Sequence, residues 1–253
     1  MKKVTSTQTL GGKVACITLS APPGNIVDRE MLAALRAIND EVKNRQDLVA
    51  IVLTAEGDDF SFGASIQEHL PDQIGSALES LHRVIRQLTD LPAPTIAAVR
   101  GRCLGGGLEL VLGCDLILAE TNAVFACPEI KLGVFPPAAS ALLPGRIGAG
   151  PAAELLLTGT EWTGEEAAHK GLVTRSAAPG SLDASLKDWL EADFLPRSAT
   201  GLRYGVQAAR RTRIRALEED LPALEQLYLR DFMKQPDATK GIHAFLEKRR
   251  AGN

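Results

Sequence analysis

Two glutamates and a run of three glycines carry the chemistry this chain could do. Gly105, Gly106 and Gly107 lead into Leu108-Glu109, and a second acid follows a short apolar segment at Pro128-Glu129. Glycine inside an element costs roughly 0.5–1 kcal/mol relative to alanine, so packing alone does not explain three in a row. They suit a place where a backbone N–H must approach a ligand closely at the mouth of a helix. A helix N-terminus offers unpaired N–H groups and partial positive charge. Such groups stabilise an oxygen that gains charge during reaction, and losing one donor typically costs about 3–4 kcal/mol in the barrier. A second glycine loop, Phe60-Ser61-Phe62-Gly63-Ala64-Ser65-Ile66, could aim the Ala64 N–H at the same oxygen. A tight strand-to-helix crossing would also use glycines for steric reasons. The acids beside them favour an oxyanion site.

Glu109 falls in the first turn of the helix those glycines open, where the dipole alone would favour an acid. Its neighbours Leu108, Leu110, Val111 and Leu112 are apolar, however, so the helix is expected to be buried. A buried carboxylate is costly unless paired or functional. Glu129 also sits among apolar neighbours. Two carboxylates at one apolar cleft push their pKa values apart, so that one becomes an acid and the other a base near neutral pH.

These groups need an α/β frame to hold them. Residues 13–20 read as a strand broken by Ala21-Pro22-Pro23-Gly24-Asn25, and Asp28 is a good N-cap for a helix running to about Arg45. Residues 48–55 and 95–99 are apolar runs of strand length, expected to be buried on both faces. A helix over about 72–91 separates them and stops before Pro92 and Pro94. Residues 115–119 and 123–127 are further short strands that follow the glycine helix. Short strands alternating with helices predict an α/β core of repeated strand–strand–helix units. From about residue 181 the pattern becomes helical, with Leu195-Pro196-Arg197 as the boundary. This predicts a core over 1–195 and a helical region over 196–253 that packs on it or builds an oligomer interface.

Composition narrows the function. The 253 residues can bury a sizeable core, and the formal net charge of −3 gives no footprint for nucleic acid or an anionic membrane. Cys16, Cys103, Cys114 and Cys127 form no C-x-x-C pair, so buried, reduced thiols are expected and a metal site is not. The N-terminus lacks the apolar segment of a secretory signal, and no apolar run reaches the roughly 18 residues of a membrane span. A cytoplasmic protein is expected. His82, His169 and His243 lie in mixed-polarity helical surroundings and are expected to be solvated. His69 could line a substrate pocket or sit at the surface.

Taken together, G-G-G-x-E, the later P-E and the Phe62-Gly63-Ala64-Ser65 loop resemble the crotonase (enoyl-CoA hydratase/isomerase) superfamily. The resemblance runs from the strand at Lys13 to the terminal Ala244-Phe245-Leu246-Glu247-Lys248. It implies a spiral of ββα units with a C-terminal helical trimerisation region, and a homotrimer or homohexamer. It also implies that the Ala64 and Gly106 amides hold the thioester oxygen of an acyl-CoA, and that Glu109 and Glu129 are the acid/base pair. Retention of both acids points to adding or removing water. CoA would lie along Asn25, Ile26, Phe62, Gly63, Ala64 and Ile66. The terminal helix of a neighbouring subunit, with its copies of Phe245 and Lys248, would close the site, and His69, Val134, Phe135 and Pro137 would form the acyl pocket. No separate cofactor is implied, because CoA belongs to the substrate.

Asn25-Ile26-Val27-Asp28, the segment 60–71 and Gly133-Val134-Phe135-Pro136-Pro137-Ala138-Ala139-Ser140 resemble a narrower group. These are the cyclohexa-1,5-diene-1-carbonyl-CoA hydratases of anaerobic benzoyl-CoA degradation. Ordinary enoyl-CoA hydratases more often read A-G-A-D at 62–65, carry a lysine near Gln67 and have P-G-x-G-G at 136–140. A hydratase for linear or monounsaturated cyclic enoyl-CoA is the nearest alternative. A serine peptidase on the related fold lacks its serine–histidine pair here, and an RNA-associated homologue lacks a basic aromatic surface.

Overall fold

Strands with β-branched and small apolar side chains form the centre of the molecule, because such residues fit a sheet covered on both faces. The computed structural model describes residues 2–236 and 238–251, without the side chains at 245 and 248–251. In chain order the strands and the first four α-helices are β1 (Val4–Thr9), β2 (Val14–Leu19), α1 (Arg29–Val42), β3 (Ala50–Ala55), α2 (Ile74–Asp90), β4 (Thr95–Val99), β5 (Arg102–Leu104), α3 (Gly106–Leu112), β6 (Leu116–Glu120), β7 (Val124–Ala126), α4 (Pro137–Ile147), β8 (Glu161–Thr163) and β9 (Arg175–Ala177). A six-stranded sheet runs β1-β2-β3-β4-β6-β9, and a three-stranded sheet runs β5-β7-β8. In the large sheet β1 is antiparallel to β2, and every other pairing is parallel.

The period-two pattern of each strand sorts side chains between two cores. Ile17, Leu19, Ile51, Leu53, Ala97, Val99, Ile117 and Ala119 face α1, α2 and α3. Val14, Val52, Ile96, Ala98 and Leu118 face the other way, onto Leu182, Trp189, Leu190 and Phe194 of the helices that follow β9. Asp28 caps α1 by accepting from the Met31 N–H at 2.9 Å, as its position before the apolar stripe predicts.

The sequence pattern does not announce β1. Val-Thr-Ser-Thr-Gln-Thr has one apolar side chain, and only Val4 is buried. An edge strand with one neighbour needs no more. β8 and β9 also escape notice, being three residues each. Beyond Ala177 every regular element among the described residues is helical, from Leu182–Trp189 to Lys240–Ala251. Among the described residues no helix is long and apolar enough to cross a membrane.

Candidate active site

The three glycines occupy the step from β5 into α3. Gly105 is the N-cap at φ +48°, a left-handed value that favours glycine, and α3 starts at Gly106. Gly63 has φ +97° and passes so close to β5 that a side chain on it would stand 2.9 Å from the Leu104 carbonyl oxygen and 3.5 Å from the Gly106 nitrogen. A side chain on Gly106 would in turn meet the Ala64 nitrogen at 3.0 Å. The sequence thus brings the Ala64 and Gly106 amides side by side, and the bulk of any other residue would part them. Neither N–H donates to a protein acceptor among the described residues. Two adjacent unpaired donors, one at a helix N-terminus, form a cradle for one oxygen that accumulates charge.

Ser61 fixes the loop. Its hydroxyl donates to the Asn25 carbonyl at 2.8 Å and accepts from the Gly63 N–H at 3.1 Å. Gly107 must lack a side chain because a Cβ there would press into Ser61. The Asn25 loop is tied alongside: Phe62 N–H donates to Gly24 at 2.8 Å, Val27 N–H to Gly63 at 3.0 Å, and Ser65 N–H to Val27 at 3.2 Å.

Both acids border the same recess, together with Ala64 and Tyr228. Glu109 is 3 % exposed on α3. Its Oε1 accepts the Ala138 and Ala139 N–H groups at 2.9 and 3.0 Å, so the N-terminus of α4 holds it. That contact explains the segment Pro136-Pro137-Ala138-Ala139 structurally, since Pro137 opens the helix whose first free amides meet the carboxylate. Glu129 stands in a one-turn 3₁₀ helix, Pro128–Leu132. Its Oε2 is sealed from solvent and has no hydrogen-bond partner among the described residues. Burial, and then the charge of Glu109, push its carboxyl up to about 8. At neutral pH it therefore holds its proton.

A second recess adjoins the first, and the two share Ala64, His69 and Glu129. Phe62, Gly63, Ile66 and Val134 line the second one. Phe135 and Pro137 line the first, where Val27, Leu32, Leu78 and Leu81 supply apolar wall. His69 turns its Nδ1 to the Ser65 carbonyl at 2.8 Å. Phe62 is 38 % exposed, with the Arg102 guanidinium 5.7 Å from its ring centre. The Asn25 side chain is not available to a ligand as the sequence suggests. It is fully buried and occupied, with Nδ2 donating to Glu56 and Asp59 carbonyls and Oδ1 accepting from Ala21. It shapes the loop, and half-buried Ile26 beside it remains at the surface. The Phe245 and Lys248 side chains lie outside the described residues.

Three further points depart from the expectations of the sequence. His82 is not solvated: it is fully buried on α2, with Nδ1 against the Glu225 carboxylate. The helical pattern gives it a core position that its polarity disguises. Cys16 is only half-buried, near the edge of the sheet, whereas Cys103, Cys114 and Cys127 are buried; all four are free thiols. Tyr228 lies in the helical region, about a hundred residues or more from either acid, and nothing in the sequence singles it out. Its local sequence, Leu227-Tyr228-Leu229, carries no chemical signature, and only the tertiary fold brings it to the recess.

Comparison with known proteins agrees with this geometry. Residues 9–252 match the sequence model of the family described as enoyl-CoA hydratase/isomerase. The chain is 42% identical over 240 residues to the cyclohexa-1,5-dienecarbonyl-CoA hydratase of Thauera aromatica, across 95% of this chain and 92% of that protein. Among solved structures it resembles an enoyl-CoA hydratase/isomerase from Xanthobacter autotrophicus Py2 with a TM-score of 0.84 and 27% identity, covering 99% of this chain and 98% of that one. It resembles Pseudomonas aeruginosa DspI with a TM-score of 0.79 and 30% identity, covering 98% and 95%.

Proposed function

Because the chain belongs to the enoyl-CoA hydratase/isomerase family, we propose that it adds water to cyclohexa-1,5-diene-1-carbonyl-CoA, giving 6-hydroxycyclohex-1-ene-1-carbonyl-CoA. The observation that carries this reading is the meeting of two unpaired amides and two acids, one protonated at neutral pH, around one recess. The ring substrate is supported by the similarity to the Thauera aromatica hydratase and by the apolar walls around the acids, which suit a compact hydrocarbon.

The proposed reaction uses each group in turn. The thioester oxygen sits between the Ala64 and Gly106 N–H groups. Glu109 takes a proton from water as the water oxygen bonds to the β carbon, and the electron pair of the conjugated double bond moves onto the thioester oxygen. The resulting dienolate collapses by taking the Glu129 proton at the far end of the diene, leaving a double bond between the α carbon and its other ring neighbour. Proton exchange from Glu109 to Glu129 restores the resting state. General acid–base catalysis of this kind contributes about 10²–10⁴-fold. A cytoplasmic homotrimer or homohexamer assembled through the C-terminal helices fits the exposed apolar side chains there, Tyr204, Leu227 and Leu229.

The test is turnover of cyclohexa-1,5-diene-1-carbonyl-CoA, cyclohex-1-ene-1-carbonyl-CoA and crotonyl-CoA by the purified protein. Preference for the diene is expected. A preference for crotonyl-CoA overturns the ring assignment, and inertness toward all three overturns the hydratase reading.

A further inference from the structure

Two buried side-chain atoms without a hydrogen-bond partner among the described residues belong to side chains that border the acid-lined recess: Glu129 Oε2 and the Tyr228 hydroxyl. Glu129 has a role in the reaction, and Tyr228 has none so far. The tyrosine is 1 % exposed and its ring is fixed between Phe135 and Phe232, with centroids 5.1 and 5.4 Å away. Ile74, Leu78, Val134 and Ile242 complete an apolar jacket. A phenylalanine would satisfy every one of these contacts. The hydroxyl is the one polar part of the side chain, and a buried donor left unpaired is costly, so packing does not account for it.

The chemistry of the recess narrows what the hydroxyl is for. The thioester oxygen is met by the Ala64 and Gly106 amides, and a hydrocarbon ring offers no acceptor. The oxygen that remains is the one added in the reaction. We infer that the Tyr228 hydroxyl is a third polar group of the site, which hydrogen-bonds the reacting water and then the hydroxyl that this water becomes on the substrate. This deepens the proposed hydratase reading and rests on it. Burial, and then the charges of Glu109 and Glu129, raise the phenol above its ordinary value. It therefore stays neutral and acts as a hydrogen-bond partner, while proton transfer is left to the two acids.

The test is Tyr228→Phe, which keeps the ring and its packing. Dissociation constants are measured for cyclohexanecarbonyl-CoA and for its 2-hydroxy derivative, with turnover measured in parallel. The variant is expected to bind the hydroxylated ester about tenfold more weakly, the equivalent of one hydrogen bond. Binding of the unhydroxylated ester should be unchanged, and kcat should fall at least as much as the hydroxyl-specific affinity. Equal weakening of both esters, or of neither, overturns the inference, because a packing role cannot tell the two apart. If the protein prefers a linear substrate, 3-hydroxybutyryl-CoA against butyryl-CoA gives the same comparison. If it hydrates nothing, the proposed function fails while the affinity difference still decides the role of Tyr228.

Discussion

The Glu129 carboxylate fills the space that a side chain on Gly105 would need. A Cβ at Gly105 would collide with Glu129 Oε1 and stand 3.1 Å from its Cδ. Gly105 is thus required twice, for φ +48° and for the room it leaves the acid. Gly105→Ala should cost about 1–2 kcal/mol through the left-handed backbone and displace Glu129 from the reacting carbon. A misplacement of about 1 Å costs about 10²-fold in rate. Steady-state kinetics beside thermal unfolding checks this: turnover should fall far more than the modest drop in stability would explain.

Glu129 sets a direction for the pH dependence. In the proposed reaction its proton, held up to about pH 8 by burial and by Glu109, is given to the substrate in hydration and then replaced from Glu109. Dehydration starts from the same singly protonated pair, with the proton on Glu109, so hydration and dehydration should both decline as pH rises through about 8. The stability linkage has the same origin. The unfolded glutamate ionises near its ordinary value of 4.5, whereas the folded one keeps its proton to about 8. Stability therefore falls between those pH values and levels off above them. Glu129→Gln should abolish this dependence and lower turnover by several orders of magnitude, with CoA-ester binding retained. It should also stabilise the fold at pH 9 by about 4–5 kcal/mol relative to its effect at pH 4. Urea titrations at the two pH values measure the difference.

Glu109 is the partner of two amides and, in the proposed reaction, the proton acceptor, and two substitutions separate these roles. Glu109→Gln keeps an oxygen for the Ala138 and Ala139 N–H groups, so it should lose activity while unfolding near the wild-type temperature. Glu109→Ala strands both donors in the core and should cost a further 1–3 kcal/mol or so. Equal stability of the two variants would mean that the N-terminus of α4 does not depend on the carboxylate.

Much of this site can be read from the sequence because its parts are local. Gly105, Gly106 and Glu109 lie on one strand-to-helix turn, and Gly63-Ala64 forms one loop, so residue type and spacing nearly determine their geometry. β3 and β4 are legible for a related reason: their burial on both faces leaves unbroken apolar runs. β1 is hidden by its polarity, which an edge strand tolerates. Tyr228 and His82 are hidden because their surroundings are made by contacts distant in sequence. His82 pairs with Glu225 from another helix, and Tyr228 is placed by Phe135 and Phe232. The buried location of Asn25 follows from carbonyls at Glu56 and Asp59, which its own Pro-Gly-rich segment does not announce.

Arg210 offers a test of how the helical region is fastened to the sheet. It is 3 % exposed and grips Asp115 through both carboxylate oxygens, at 2.9 and 2.6 Å, and the Thr89 and Ala93 carbonyls at 2.8 Å each. Burial alone would raise the Asp115 carboxyl. The Arg210 hydrogen bonds, followed by the charges of Arg210 and Arg213, outweigh it and bring the value down to about 2 from 3.8. The stability that this pair supplies is present above the unfolded value and is lost as pH falls from about 4 to about 2. Arg210→Met leaves Asp115 paired with Arg213 but strands the Thr89 and Ala93 carbonyls, so it should destabilise by about 1–3 kcal/mol at pH 7. In the variant, the acid-induced loss between pH 4 and pH 2 should shrink, because Asp115 gains less from being ionised. Chemical denaturation at pH 7, 4 and 2.5 on both proteins decides it: parallel pH curves would mean that Arg213 alone holds Asp115, and the clamp on the Thr89 and Ala93 carbonyls would then be the whole contribution of Arg210.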